Sequence, residues 1–454
     1  VIAVVVSRAD SASVHVGERL LELAEWEERT DDERADAEGG GTYYRRGDLE
    51  LREFDGLHVE LGRVADAFSE PPAFVAFVSR HSGETGPLLT AHFTGNFGPA
   101  AYGGEAGELA RACPNAQKAV VESLAEHAPE GYDVGIECTH HGPSDAGAPS
   151  MFVELGSDEE EWADPAGARA VARAVLDLSG VEADGERQLV GFGGGHYAPR
   201  FTRIVRETDW AVGHVAADWP LDEMGDPAAN RDVVRRAFEA SAAEYAVVDG
   251  DRPGLEGVVE ELGYRVVGES WVREATGVSL DLLDRLESDL SPVDDGLRLG
   301  SFAGRRPAGR GASVRDVDAT EYEVVSLPDE LLSEAAGIDA DAALAAVRER
   351  TVAYETVENG SKARGRAALA DESAYDGLVA ALSDVLREKY DAVERRGNAV
   401  VARREAFDPT AAAERGVPEG PAFGTLSAGE PVEVGGRTVD PDEVRTERRS
   451  AFPV

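Results

Sequence analysis

Lysine is nearly missing from this chain. Of its 45 basic residues only Lys118, Lys362 and Lys389 carry an ammonium group; the rest are arginines. Cysteine is scarcer still. Cys113 and Cys138 stand alone, which excludes a disulfide framework and any CxxC metal or redox pair. No apolar run approaches the length of a membrane span. The opening VIAVVV runs straight into Ser7, Arg8 and Asp10, so neither a secretory leader nor a membrane partner is expected. HExxH, a Walker loop and a G-x-S-x-G elbow are also missing, which argues against the common zinc peptidases, P-loop NTPases and α/β-hydrolases.

What is plentiful is carboxylate. There are 88 Asp and Glu, giving a formal net charge of -43, while a hydrophobic content of 42% still supports a real core. The acid is spread along the whole chain rather than gathered in blocks, so binding of a basic partner explains it poorly. A dense carboxylate surface stays hydrated where salt would screen a sparser one, which points to a salt-saturated cytoplasm. The expectation is a soluble, cytoplasmic, monomeric protein. At 454 residues it should hold two or three domains.

Residues 1–285 alternate short apolar runs with amphipathic segments, the pattern of an α/β domain. Strands are predicted at 1–7, 73–79, 88–93, 132–138, 151–155, 188–192, 211–216 and 245–249. The segment DPAGARAVARAVLDLSG predicts a helix, with Asp164 as N-cap, Pro165 in the first turn and Gly180 closing it. Residues 27–48 are charged and Gly-rich and read as an exposed loop or insertion. Residues 286–410 are rich in Ala, Glu and Arg and read as a helical accessory region, and 411–454 as a small β-hairpin module. No internal repeat is evident.

Only nine histidines are present, and five follow predicted strand ends: His81, His92, the adjacent His140 and His141, and His196. Ligands collect beyond the carboxyl ends of strands in α/β sheets. Imidazole there can bind a metal such as zinc or carry protons near neutral pH. Adjacent histidines point opposite ways in an extended chain. His140 and His141 can share one ion only if the loop turns, which Gly142-Pro143 allows; otherwise one is a ligand and the other an acid/base group, or both are ordinary loop side chains. Alternation along YDVGIEC puts Glu137 on the face opposite Tyr132, Val134 and Ile136. Glu137 and Glu154 are the carboxylates placed beside these histidines. Cys138 reads as a small buried hydrophobe. In GFGGGHYAPRFT the glycines fail the dinucleotide fingerprint. Gly193, Gly194 and Gly195 form either an anion cradle or a tight turn. Arg200, Arg203 and Arg206 form a stripe for phosphate or for salt bridges.

The motifs FVSRHSGETGPLLTAHFTGN, YGG (102–104), GIECTHHGP, FVELGSDEEEW and GFGGGHYAPRFT occur in this order. Together with the opening SRADSASVHV, they resemble the archaeal and plant type of D-aminoacyl-tRNA deacylase over about residues 1–280. The resemblance implies a mixed sheet flanked by helices, like phosphorylase and peptidyl-tRNA hydrolase. It also implies two zinc ions per chain and hydrolysis of the ester joining a D-amino acid to tRNA. On this reading His92, His140, His141, His196 and Glu154 are the expected metal ligands, and Glu137, His140, His141 and His196 the catalytic groups. His81, Asn96, Gly193, Gly194, Gly195, Arg200 and Arg203 are the expected substrate contacts. Cys138 departs from the family's usual alanine and takes no role. At molar salt the Debye length is about 3 Å, so distant carboxylates barely repel RNA. A zinc hydrolase of another ester or amide, or a non-catalytic RNA-binding module, are the rival readings.

Overall fold

In the computed structural model, which describes residues 1–303 and 321–454, the chain divides into two compact units, Val1–Thr276 and Gly277–Val454. In the first unit the chain runs through β1 (Ile2–Ser7), α1 (Ser11–Leu23), β2 (Glu27–Asp31), β3 (Gly41–Arg46), β4 (Leu49–Phe54), β5 (Phe74–Arg80) and β6 (Leu88–His92). It continues through α2 (Pro114–His127), β7 (Asp133–Ile136), β8 (Ser150–Gly156), α3 (Glu159–Trp162) and α4 (Pro165–Leu176). Then follow β9 (Gln188–Gly193), α5 (Pro199–Glu207), β10 (Ala211–Ala216), α6 (Asp218–Met224), α7 (Arg231–Ser241), β11 (Tyr245–Asp249), α8 (Pro253–Glu261), β12 (Arg265–Val266) and α9 (Glu269–Ala275). All eight runs read as strands from the sequence are strands.

Two sheets result, an eight-stranded one in the order β2-β3-β4-β1-β5-β8-β6-β7 and a parallel one in the order β10-β9-β11-β12. The large sheet is mixed. β4, β1, β5 and β8 run parallel, while β6 is antiparallel to β8 and parallel to β7. β1 (IAVVVS) is buried throughout and β5 (FVAFVSR) all but its last residue, so they read as continuous rather than alternating apolar runs. Each fully buried Val or Phe contributes about 1.5–3 kcal/mol.

Helices α1, α2 and α4 pack together and against this sheet. The Asp164 carboxylate accepts from the Ala166 and Gly167 amides, and Pro165 opens α4 as expected. Ala168, Val171, Ala172 and Val175 form its buried stripe. Residues 27–48 are not the expected loop. β2 and β3 pair antiparallel and continue the sheet as its edge, where exposed strands need no apolar alternation.

The second unit opens with α10 (Leu280–Asp289) and β13 (Leu297–Leu299). It continues through β14 (Glu323–Ser326), α11 (Asp329–Ala336), α12 (Ala340–Arg350), β15 (Ala353–Val357), β16 (Lys362–Leu369), α13 (Glu372–Leu386), β17 (Ala392–Arg396) and β18 (Ala399–Phe407). Last come α14 (Pro409–Glu414), α15 (Pro421–Ser427), β19 (Val432–Val434), β20 (Arg437–Val439) and β21 (Arg445–Pro453). The region expected to be helical therefore mixes helices with strands. Its sheets run β13-β15-β16-β14 and β17-β18-β21. The part of that expectation at 304–320 lies outside the described residues. In the C-terminal stretch β19 and β20 form a hairpin over a small core of Ala412, Val417, Leu426, Val439 and Val444. β21, however, pairs with β18 rather than with that hairpin.

Candidate metal centre

The site grows from the period-two alternation of four adjacent strands. Register places Ser79 of β5, Glu154 of β8, Thr90 of β6 and Gly135 of β7 on one rung. All four therefore share one face of the sheet. Two residues further along, the same face carries His81 after β5, His92 at the end of β6 and Glu137 after β7. Because β6 runs against β8, His81 and His92 approach from opposite directions. Glu154, midway between them, reaches both: its Oε2 lies 3.5 Å from His81 Nδ1 and its Oε1 3.4 Å from His92 Nε2. Gly156 makes room for His81, since a Cβ there would lie 2.5 Å from the His81 Cβ.

Beyond β7 the chain turns sharply. His141 adopts a left-handed φ of 46°, uncommon for a non-glycine residue, and this turn brings adjacent imidazoles together. The ring centroids of His140 and His141 are 4.5 Å apart, and those of His92 lie 4.3 and 4.9 Å from them. In each ring Nδ1 donates to a backbone carbonyl: His92 to Phe93 (3.1 Å), His140 to Cys138 (2.8 Å) and His141 to Gly142 (2.6 Å). A carbonyl only accepts, so Nδ1 carries a proton in each ring and Nε2 is the nitrogen left to bind a metal when the ring is neutral. Ring nitrogens of the three lie within 4.8 Å of one another, and His92 Nε2 is buried without a hydrogen-bond partner.

His196, after β9 of the second sheet, enters from the side. Its Nε2 donates to Glu137 Oε2 at 2.8 Å, and its Nδ1 lies 3.4 Å from Cys138 Sγ. The buried Glu137 carboxylate also receives His81 Nδ1 at 3.1 Å and the Thr90 hydroxyl. Ser79 donates to Glu154 at 2.8 Å. Two further donor sets follow: Glu137, His140 and His196, and His81, Glu137 and Glu154, each with its ligand atoms within 4.8 Å.

Electrostatics sort these groups by role. Burial would raise both glutamates, but His196 and His81 around Glu137, and His92 and His81 around Glu154, hold them well below the usual carboxylate range. Burial likewise opposes charge on His81 and His196. The Glu137 and Glu154 carboxylates raise His81 to about 10, and Cys138 and Glu137 raise His196 to about 10. Burial, then the neighbouring His92, pushes His141 down to about 4 and His140 well below its ordinary value. Burial opposes charge on His92 too, but the Glu154 carboxylate raises it, so the centre pairs two ionised carboxylates with His140 and His141 held neutral beside His92. That donor set suits a borderline-soft dication such as zinc, and His140 belongs to two of the three sets.

Other expected site residues are spent on structure. Asn96 donates to the Gly103 and Glu105 carbonyls. The Gly194 amide donates to Asp218 at 2.9 Å, and a Cβ on Gly193 would lie 2.0 Å from the Asp249 carbonyl oxygen. Gly193 is therefore required by close packing of β9 against β11. Arg203 is bidentate on Glu269, and Arg200 bonds Glu269, Asp249 and the Val248 carbonyl. The salt-bridge alternative describes their geometry. His214 and His58 are buried and held near 4 by burial. His214 lies between Thr139 and the Ala110 carbonyl, and His58 beside Ser13. Sequence reasoning passed over Ser79 and Thr90, which orient the glutamates, and Tyr102, Trp219 and Tyr197 around the histidines. Ser79, Thr90, Tyr102 and Tyr197 lie inside the motifs quoted above, but no spacing assigns them a role, and Trp219 lies outside those motifs.

A family model described as D-aminoacyl-tRNA deacylase matches residues 68–267, wholly within the first unit. The crystal structure of a conserved protein of unknown function, AF0625, is 30% identical with a TM-score of 0.55, covering 61% of this chain and 97% of that one. The D-aminoacyl-tRNA deacylase of Halorubrum lacusprofundi is 56% identical over 100% of this chain and 97% of its own length. That of Natronomonas pharaonis is 55% identical over 99% of each chain. The more distant enzyme of Methanosphaerula palustris is 32% identical over 98% of this chain and 96% of its own. Identity at this level, sustained through both units, means that the chain belongs to the D-aminoacyl-tRNA deacylase family.

Proposed function

We propose that this protein hydrolyses the ester linking a D-amino acid to the terminal ribose of tRNA, releasing free amino acid and tRNA, with broad tolerance of side chain. The observation that carries this reading is the triangle of His92, His140 and His141, whose ring nitrogens converge within 4.8 Å of one another beside two ionised glutamates.

The donor sets fit two zinc ions. His92, His140 and His141 would hold one, and the Glu137, His140 and His196 set or the His81, Glu137 and Glu154 set would serve the other. Bound zinc would supply Lewis acidity at the ester carbonyl and make water easier to ionise at neutral pH. The protein's own groups do the rest. Glu137, ionised and directed by His81, His196 and Thr90, takes a proton from the attacking water. As the water oxygen bonds to the ester carbon, the carbon–oxygen bond to the ribose breaks, and His196 passes a proton to the departing ribose oxygen. With the Gly194 amide committed to Asp218, the neighbouring Gly195 N–H is the candidate donor for the developing oxyanion. Arg200 and Arg203 would meet tRNA phosphates only by sharing Glu269.

The same proposal includes a peptidyl-tRNA hydrolase-like class for the first unit, work in the cytoplasm at molar salt, and a monomeric state. Carboxylate-rich composition and the kinship with Halorubrum and Natronomonas proteins support the salt assignment. No helix among the described residues is long and apolar enough to cross a membrane.

The test is deacylation of matched D- and L-aminoacyl-tRNA in concentrated KCl, with and without a chelator. The D-substrate should be cleaved and the L-substrate spared; chelation should abolish turnover and zinc restore it. Turnover of simple esters without any release of tRNA from D-Tyr-tRNA would instead favour a hydrolase of other substrates.

A further inference from the structure

Large apolar side chains are rarely left in solvent here. Among the described residues six are more than a third exposed, and three of them, Tyr102 (73%), Trp219 (41%) and Tyr197 (38%), are aromatic residues beside the histidine cluster. Tyr102 and Trp219 line the same cleft as His140 and His141.

Neither ring sits on a loose segment. The Gly142 amide donates to the Tyr102 carbonyl at 3.0 Å, tying that loop to the turn that carries His141. Asn96 grips the carbonyls of Gly103 and Glu105, and Ser144 accepts from the Glu105 amide at 2.7 Å. Gly103 and Gly104 adopt φ of 86° and 77°, and a Cβ on Gly104 would lie 2.4 Å from Ser144 Oγ. On the other side Asp218, next to Trp219, exchanges backbone and side-chain bonds with Gly194, and Arg252 donates to it at 2.7 Å. Two fixed backbones thus hold flat aromatic faces in water, at a cost in exposed apolar area that packing does not offset.

We infer that Tyr102 and Trp219 form a stacking site for a nucleobase, the terminal adenine of the tRNA. This deepens the functional reading above and rests on it for the identity of the substrate. The adenine is joined to the scissile ester through a single ribose, so a group that clasps it must lie beside the reacting cluster, as this cleft does. The residues lining the cleft include Glu223 but no lysine or arginine. A planar neutral group suits such walls, whereas a phosphate does not. Stacking on aromatic faces tolerates any base and holds single-stranded ends.

Two experiments on the full chain test this. In deacylation of D-Tyr-tRNA, Trp219→Ala and Tyr102→Ala should each raise KM about 5- to 150-fold, the span that loss of one stacked base gives. The loss should fall on KM rather than kcat, and Trp219→Phe and Tyr102→Phe should restore most of it. In the second, adenosine monophosphate should quench tryptophan fluorescence while ribose 5-phosphate does not, and Trp219→Phe should lack the response. The inference is overturned if the alanine variants keep wild-type KM. It is equally overturned if their loss follows the amino-acid side chain, D-Tyr against D-Ala, rather than removal of the terminal base from the tRNA. If wild type cleaves no D-aminoacyl-tRNA yet Trp219 still reports adenosine monophosphate, the functional reading fails and the nucleobase site stands.

Discussion

The two units of this chain are both built of sheets and helices, yet they treat polar groups in opposite ways. The first buries Asp10, Glu50, Arg52, His58, His81, His92, Glu137, Glu154 and His214 among others. Among the described residues of the second, the buried polar side chains are Thr351, Thr356 and Ser383, all hydroxyls. Burying a charge costs several kcal/mol unless it is paired, so such groups persist where structure or chemistry requires them. Glu50 and Arg52 give the structural case. Arg52 is satisfied by Glu50, Asp31 and the Gly39 carbonyl, and the set is closed. The histidine cluster differs because it leaves ring nitrogens, the unpartnered His92 Nε2 among them, facing one another. Incomplete satisfaction, rather than burial alone, separates the histidine cluster from the Arg52 set.

Three changes test that contrast, from the largest effect to the smallest. His140→Ala removes the imidazole common to two donor sets. It should cost several kcal/mol of transition-state stabilisation, on the order of a thousandfold in kcat/KM, with an unchanged circular dichroism spectrum. Full activity in this variant would take His140 out of the site. Leu382→Ala empties part of the second unit's core, where Leu382 is fully buried among Leu331, Val347 and Leu378. Denaturant unfolding should show that unit weakened by about 2–5 kcal/mol, with deacylation by the folded protein intact. Loss of activity in step with stability would erase the distinction between the units.

Glu269→Gln probes a surface network instead. Arg203, then Arg273, hold the Glu269 carboxyl down at about 2, so its stabilisation is present above the ordinary carboxylate value and is lost as pH falls through about 2. The variant should be less stable by about 1 kcal/mol or below at neutral pH, with the difference shrinking as acid is added. A gap that widens in acid would reverse the assignment.

Much of the first unit was legible because its signals are local. Buried parallel strands read as apolar runs, and in a chain with nine histidines the rings after strand ends stand out. Glu137 was legible through alternation along YDVGIEC, and the structure does put it on the face shared with Gly135. Elsewhere the sequence misled for physical reasons. β3 (GTYYRR) and β2 (EERTD) are edge strands held by pairing rather than burial. In β16 (KARGRAAL) alanines take the buried positions that β-branched residues would mark, so composition pointed to helix. The remaining site residues act across long stretches of chain. Ser79 meets Glu154 and Thr90 meets Glu137 only because the strands are in register, and an isolated Ser or Thr carries no sign of that.

The braces on His92, His140 and His141 are carbonyls of residues one or two positions away in the chain. Where an aspartate orients a histidine, one distant codon change can cut it loose. Here the support is written into the peptide itself and survives replacement of almost any surrounding side chain. The orientation of these rings should therefore tolerate evolutionary drift across the scaffold, while insertion or deletion within the two short turns, even far from any charged group, should scramble it at once.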